Sequence, residues 1–190
     1  MEVSWPTLLD EMCACQKCRL YEERKNVVPG EGNPHARLLF IGEGPGRDED
    51  ELGRPFVGAA GRLLEKMIRA IDLTRDDVYI TNVVKCRPPQ NRTPAPDEVA
   101  ACLPYLRTQT GLIHPQVIVL LGGSALKAIL GDTMGITRCR GQWIERKGVW
   151  FMPTFHPAAL LRDESKKRPV WEDLKKIRDK LAALEEACVQ

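Results

Sequence analysis

The stretch Leu38-Leu39-Phe40-Ile41-Gly42-Glu43-Gly44-Pro45-Gly46 decides the fold class of this chain. Its apolar run is followed by a cluster of glycine and proline, which is typical of a buried strand that ends in a turn. The turn places the carboxylate of Glu43 at the carboxyl end of the strand, and ligands bind at that edge of an open α/β sheet. Taken alone, the stretch favours an ordinary turn with a solvated glutamate, and the later segments change that interpretation.

Three further apolar segments end in polar or glycine-rich turns. The predicted strands are residues 38–42, 78–82, 117–121 and 149–154. Helical periodicity separates them, most clearly in residues 61–72, where apolar residues recur at every third or fourth position. Strands that alternate with helices predict parallel pairing. The sequence therefore predicts one domain over residues 1–190 of the α/β class, a three-layer α/β/α sandwich with a central four-stranded parallel sheet.

The carboxyl ends of the predicted strands bring polar side chains to one edge of the sheet. They deliver Glu43, Asn82, the turn Gly122-Gly123-Ser124 and His156. We interpret the Gly-Gly-Ser turn as a tight turn with an N-cap serine, although its amides also suit a phosphate. Phe56 lies in an acidic loop and either packs into the core or stacks on a bound group. Such a set suits a small, polar, planar ligand: the amide reads an edge, the ring stacks on a face, and the histidine stabilises developing negative charge.

Composition and charge exclude several classes of protein. The chain is 43% hydrophobic and 28% charged with a net charge of +2, so nucleic-acid binding requires a local basic surface. No segment approaches the roughly 18 apolar residues of a membrane-spanning helix. The N-terminus lacks the features of a signal peptide. We therefore expect a cytoplasmic protein with no membrane partner.

Seven cysteines are informative in a compartment where disulfides are rare, because they favour metal binding or catalysis. Cys15 and Cys18 form a C-x-x-C pair, a spacing that lets two thiolates converge on one metal or cluster. A redox dithiol has the same spacing, but no strand precedes this pair. Cys86, in a proline-rich loop, and Cys102, on a predicted helix, are the second half of a candidate four-thiolate set.

Four motifs, in order, resemble those of the family 4 uracil-DNA glycosylases, the iron–sulfur branch of that superfamily. They are Gly42-Glu43-Gly44-Pro45-Gly46, Gly53-Arg54-Pro55-Phe56-Val57-Gly58, Asn82-Val83-Val84-Lys85-Cys86-Arg87-Pro88-Pro89, and His156-Pro157 with the leucines that follow. The resemblance runs from about Cys15 to the final helix. It implies hydrolysis of the N-glycosidic bond of uracil in single- or double-stranded DNA, which releases uracil and leaves an abasic site. We expect the protein to act as a monomer.

The resemblance also implies roles for individual residues at the sheet edge. The implied substrate-binding residues are Gly42, Glu43, Gly44, Phe56, Asn82 and His156. Phe56 would stack on the flipped-out base, and Asn82 would hydrogen-bond its edge and reject cytosine. His156 would stabilise the negative charge on the departing uracil. Glu43 is the first choice to position water or balance the sugar cation, and Glu49 is the second.

Contacts with the DNA backbone and duplex are implied for a second group of residues. Leu160 would wedge into the duplex and fill the vacated space, with Leu161 and Arg162 beside it. Ser124, together with the basic loops, would hold phosphates.

The same resemblance implies a 4Fe-4S iron–sulfur cluster with a structural role. Its ligands would be Cys15, Cys18, Cys86 and Cys102, whereas Cys13, Cys139 and Cys188 would be unliganded. The alternative from a different class is a zinc-stabilised DNA-binding module without catalytic activity that uses the same four cysteines. The wide separation of Cys86 from Cys102 favours the iron–sulfur cluster, because zinc sites usually show two close pairs.

Overall fold

Strands and helices alternate through the computed structural model, which describes residues 4–131 and 135–189, with side chains as far as residue 187. The strands are β1 (Glu31–Gly32), β2 (Leu38–Gly42), β3 (Tyr79–Asn82), β4 (Val117–Leu121), β5 (Ile144–Arg146) and β6 (Val149–Thr154). The α-helices are α1 (Trp5–Cys13), α2 (Arg47–Leu52), α3 (Ala59–Arg69), α4 (Pro96–Ile113), α5 (Gly123–Leu130), α6 (Ile136–Cys139), α7 (Pro157–Arg162) and α8 (Lys167–Val189). The Cys188 side chain, expected to be unliganded, lies outside the described side chains.

Within the described residues, the strands form one mixed six-stranded sheet in the order β1-β3-β2-β4-β6-β5. Strands β3, β2, β4 and β6 pair in parallel, whereas β1 and β5 are antiparallel edge strands. The expected four-stranded parallel sheet is therefore corrected to a mixed sheet of six strands, in which the four predicted strands form the parallel centre. Strand β1 has only two residues and no readable periodicity. Strand β5 joins β6 through Lys147 and Gly148, whose φ values of 53° and 80° suit a tight hairpin.

Helices cover both faces of the sheet because the parallel strands are apolar on both sides. Leu39 and Ile41 of β2 pack in a core with α1, α4 and α5, whereas Leu38 and Phe40 pack in a second core with α3 and α8. Complete burial of each such side chain contributes about 1.5–3 kcal/mol. Burial on both faces explains why these strands are continuous apolar runs and not alternating ones.

The acidic segment before Phe56 is partly helical, which corrects the expectation of a loop. Helix α2 begins after Gly46, whose backbone N–H donates to Glu49 Oε2 at 3.1 Å. Acidic side chains in the first turn also interact favourably with the helix dipole. The helix ends at Gly53, which has a φ of 68°.

The described helices include none that is long and apolar enough to cross a membrane.

Candidate active site

A cleft of about 430 Å³ opens at the carboxyl edge of the parallel strands. Its size is typical of ligand sites, which span roughly 300–1,000 Å³. The strand register brings the predicted residues together: Gly42 of β2 is opposite Asn82 of β3, and Leu121 of β4 is opposite Thr154 of β6. The predicted site residues that line the cleft are Glu43, Gly44, Glu49, Phe56, Asn82, Ser124, His156 and Arg162.

Gly42 allows the aromatic ring and the amide to approach the end of β2. A Cβ atom at this position would lie 2.4 Å from Asn82 Oδ1 and 2.5 Å from Phe56 Cζ. Any larger residue would therefore displace one of the two side chains. Gly42 is not itself among the lining residues, so its contribution is the space that it leaves.

Asn82 presents a buried hydrogen-bond acceptor that nothing satisfies. Its side chain is 1% exposed, and Oδ1 has no hydrogen-bond partner among the described residues. An unpaired buried acceptor costs about 1–3 kcal/mol. Lys85 Nζ holds the same residue from behind through its backbone oxygen, at 2.7 Å. The free oxygen on a fixed backbone is therefore arranged to accept a donor from a ligand.

Phe56 combines the two alternatives that the sequence left open. It is 6% exposed and belongs to the core beneath α3, yet it also lines the cleft. Its ring stacks against His156 with centroids 5.6 Å apart and an interplanar angle of 30°. The backbone has a φ of 51°, a left-handed conformation that costs a non-glycine residue about 1–3 kcal/mol. The surrounding structure must therefore hold Phe56 in place.

His156 is arranged as a neutral hydrogen-bond donor. Its Nδ1 accepts the backbone N–H of Ala158 at 3.1 Å and caps α7. In a neutral imidazole the proton is then on Nε2. Burial, together with the smaller effect of the positive charge of Arg162, lowers the pKa of His156 to about 4. The imidazole is therefore uncharged at neutral pH.

Glu43 is held by Ser124, whose hydroxyl donates a hydrogen bond to Glu43 Oε2. Ser124 lies inside the first turn of α5, and the N-cap is Gly122 with a φ of 92°. The interpretation of Ser124 as an N-cap is therefore wrong. Its observed contact orients the carboxylate of the first-choice catalytic glutamate.

The carboxylate of Glu49 accepts hydrogen bonds from the protein backbone. Oε1 accepts the N–H groups of Val57 and Gly58 at 2.8 and 2.9 Å, and Oε2 accepts that of Gly46. These bonds occupy both oxygens and tie α2 to the loop that carries Phe56. The geometry therefore favours Glu43 over Glu49 for contact with water.

The leucines of α7 differ from the expectation. Leu160 is 2% exposed and belongs to the core that includes α3 and α8, so it is not available to enter a duplex. Leu161 is 52% exposed, and Arg162 lines the cleft. Successive residues of a helix point about 100° apart, so one position separates an inward from an outward side chain.

The four predicted cysteine ligands line one cavity, which shares no lining residue with the cleft. A small second cavity is lined by Cys15, Cys18, Cys86 and Cys102 together. Cys13 is exposed and Cys139 is buried, and neither lines it. The described part of the chain contains no group of three or more His, Cys, Asp or Glu side chains that could hold a metal ion.

The surroundings of the cysteine cavity act on the pKa of its thiols in two opposite directions: burial raises it, and nearby hydrogen-bond donors lower it. Burial raises the pKa of Cys102 to about 11 and also raises the pKa of Cys86. Arg24 Nη1 donates to Cys86 Sγ at 3.1 Å, and the Lys85 backbone N–H donates to Cys102 Sγ at 3.3 Å. Metal binding to such thiols must release protons, and the nearby donors stabilise the resulting negative charge.

Glu98 is a residue that the sequence analysis missed. It is fully buried and binds Arg92, which lines the cleft, with two bonds of 2.6 and 2.8 Å. Arg19, next to Cys18, donates to the same carboxylate at 2.9 Å. Hydrogen bonds from Arg92 hold the pKa of Glu98 down at about 2. The available signal was the capping pattern at the start of α4, where Glu98 also accepts the Ala95 N–H.

Comparison with known proteins gives a consistent result. The model of the uracil DNA glycosylase superfamily matches residues 29–175. A type-4 uracil-DNA glycosylase of Thermotoga maritima is 51% identical over 168 residues, which cover 85% of this chain and 86% of that protein. The type-4 enzyme of Sulfurisphaera tokodaii is 49% identical over 179 residues, 90% of this chain and 81% of its own. A type-5 uracil-DNA glycosylase of Pyrobaculum aerophilum is 31% identical over 176 residues, 82% and 77% of the two chains.

Proposed function

The chain belongs to the uracil DNA glycosylase superfamily, and from that premise we propose that its cleft receives a uracil flipped out of DNA. The enzyme hydrolyses the N-glycosidic bond, which releases free uracil and leaves an abasic site. The unpaired Oδ1 of Asn82 in the cleft carries the assignment of the site. Uracil offers an N3–H donor to this atom, whereas cytosine presents an acceptor there.

Base selection follows from the same edge contact. Asn82 Oδ1 accepts N3–H of uracil, and its amide nitrogen donates to O4. Cytosine reverses both positions and would leave buried polar groups unpaired, which discriminates strongly. Phe56 stacks on the face of the base and keeps its edge against the amide. Extrusion from the helix is required because the reacting bond is inaccessible in the stack.

Cleavage leaves negative charge on uracil and an oxocarbenium-like sugar. The Nε2–H of His156 donates to the uracil carbonyl where that charge develops. The neutral state of the imidazole suits this role, because a donor is needed and a proton transfer is not. Glu43, oriented by Ser124, positions the attacking water or balances the sugar cation.

DNA is held beside the cleft by residues of α7. We assign insertion into the duplex to Leu161, because Leu160 is in the core and Leu161 is exposed beside the cleft residue Arg162. Arg162 contacts a phosphate, and the N-terminal turn of α5 contributes Ser124 to the same region. A monomeric, single-domain protein acting in the cytoplasm remains our prediction.

An excision assay tests the proposed function directly. We expect the purified protein to release uracil from U:G, U:A and single-stranded oligonucleotides, and to leave alkali-labile abasic sites. Matched oligonucleotides with thymine or cytosine at the same position serve as controls. Binding to all of these without release of any base would instead support the DNA-binding module.

A 4Fe-4S cluster fits the four cysteines that share the second cavity. Cys15, Cys18, Cys86 and Cys102 would hold it through their thiolates. The donors from Arg24 and Lys85 match the negative charge of thiolate ligands. Such a cluster would crosslink the N-terminal segment, the proline-rich loop and α4. Arg92 of the proline-rich loop lines the cleft and binds Glu98 of α4, and this contact connects the segments to the cleft.

Replacing Cys86 with alanine is expected to remove iron and lower the melting temperature, since the proline-rich loop has little apolar content to hold it. Cys139→Ala is the matched control, because Cys139 is a buried cysteine away from the cavity. Iron and acid-labile sulfide per protein, together with visible absorbance, measure the result. Purified protein with stoichiometric zinc and no sulfide would show that the cluster assignment is wrong.

A further inference from the structure

We infer that Arg75 and Glu49 clamp the backbone on both sides of Phe56 and so set the position of the ring that stacks on the base. Both are positioning residues, because they act through Phe56. The inference rests on the proposed function, since it takes the stacking role of Phe56 as given. It assigns a role to Arg75, which no sequence motif indicated, and replaces the catalytic candidacy of Glu49.

The contacts surround three consecutive peptide groups. Arg75 Nη2 donates to the Pro55 carbonyl at 2.7 Å, and Nη1 donates to the Phe56 carbonyl at 3.0 Å. On the following residues, Glu49 Oε1 accepts the N–H groups of Val57 and Gly58 at 2.8 and 2.9 Å. The peptide between Phe56 and Val57 is therefore held at both its oxygen and its nitrogen, by side chains of opposite charge.

The conformation of Phe56 needs such support. Its φ of 51° is sparsely populated for a residue with a side chain, and it persists where the surroundings over-determine it. The ring also has little freedom to move. A Cβ at Gly42 would lie 2.5 Å from Phe56 Cζ, and a Cβ at Gly61 would lie 1.9 Å from the Phe56 carbonyl oxygen. The loop therefore fits between two glycines in one position, which the clamp maintains.

Arg75 reaches this loop from behind the cleft. It is not among the cleft-lining residues, and its side chain is 16% exposed. Glu31 of β1 lies 3.6 Å from Arg75 Nε and binds Arg54 through both oxygens at 2.6 and 2.7 Å. Arg54 is 58% exposed and makes no hydrogen bond to the Phe56 loop in the described structure. Arg54 is thus a natural control for Arg75.

The test measures single-turnover uracil excision, DNA affinity and melting temperature on the same preparations. Arg75→Gln is expected to lower the cleavage rate by about 100-fold, the effect of a misplacement near 1 Å, with DNA affinity nearly unchanged. Arg75→Lys recovers part of the rate, because an ammonium reaches one carbonyl but lacks the planar fork. Arg54→Gln keeps the rate of the unmodified protein. Equal loss in the Arg54 and Arg75 variants would overturn the inference.

A double-mutant cycle with Phe56→Ala identifies the route of the effect. If Arg75 acts through Phe56, Arg75→Gln has little further effect on cleavage in the Phe56→Ala background. The same fold-loss in both backgrounds would overturn the clamp while the stacking role stands. A Phe56→Ala variant with an undiminished rate would instead remove the stacking role, and the clamp with it. If Arg75→Gln does not fold, the cycle is run with Arg75→Lys.

Glu49 provides an independent arm. Glu49→Gln retains an oxygen that can accept both loop amides, so it is expected to keep more activity than Glu49→Ala. A carboxylate that acted on water would be lost equally in both variants. Equal and complete inactivation would therefore return Glu49 to the chemical step and overturn its place in the clamp.

Discussion

His156→Ala is expected to lower the single-turnover rate of uracil excision by about 100- to 1,000-fold, the loss of one oxyanion donor, which corresponds to roughly 3–4 kcal/mol. DNA affinity changes far less, because it comes mainly from phosphate contacts. The hydrogen bond from Nε2 strengthens only as negative charge develops on the leaving base, so its removal acts on the transition state. Single-turnover kinetics and equilibrium binding, measured separately, distinguish these two effects.

A second variant separates catalysis from the capping of α7. His156 Nδ1 accepts the Ala158 N–H, so alanine also removes a cap worth about 0.5–2 kcal/mol of stability. Asparagine is a favoured N-cap residue and restores that bond, but its amide does not extend to the position of Nε2. His156→Asn is therefore expected to melt like the unmodified protein and still cleave slowly. Recovery of the rate together with stability would mean that His156 serves packing alone.

The pH profile supplies an independent check on the same residue. Burial lowers the pKa of His156 from 6.5 to about 4, so the neutral donor persists through the usual histidine range and is lost only as pH falls towards 4. The cleavage rate should therefore show no inflection between pH about 5.5 and 8.

The same pKa shift predicts how stability depends on pH. In the unfolded chain His156 is protonated near pH 6.5, whereas in the folded protein it stays neutral down to about pH 4, so the free energy of unfolding decreases as pH falls from 6.5 towards 4. His35→Ala, which removes a histidine at an exposed position, is the matched control for His156→Ala in both pH profiles.

Asn82→Asp is expected to abolish uracil excision, with a loss of at least about 1,000-fold. An ionised carboxylate still accepts from N3–H but repels O4, and it must remain buried at a position that is 1% exposed. Sites that hydrogen-bond a substrate group discriminate against a mismatched partner by about 10⁴–10⁵, so the effect of reversing this edge is large. Excision assays on uracil and cytosine oligonucleotides measure it.

The cytosine arm distinguishes loss of recognition from loss of folding. A protonated aspartic acid donates to cytosine N3, and either form accepts from its amino group. Weak cytosine release, absent from the unmodified protein, would show that residue 82 faces the base. Undiminished uracil release with an unchanged melting temperature would remove Asn82 from the site.

The residues that line the cleft could largely be predicted from local sequence, because strand ends and turns are encoded by neighbouring residues. The apolar run ending at Gly42 predicted a buried strand, and the strand register then brought Asn82 opposite it. The C-x-x-C spacing of Cys15 and Cys18 predicted a shared ligand, and both line one cavity with the other two predicted cysteines. Long apolar runs carry this information since every residue in them is buried.

Only the tertiary structure decided which side chains are free to act. Leu160 and Leu161 are neighbours of one type, and packing against α3 and α8 buries the first and exposes the second. Glu43 and Glu49 are both acidic residues after one strand, but the backbone amides of Val57 and Gly58, in the loop that follows α2, occupy Glu49. Strand β1 forms because it pairs with β3, and its two residues alone carry no strand pattern. These outcomes depend on contacts between different elements and loops of the chain, which periodicity and spacing do not encode.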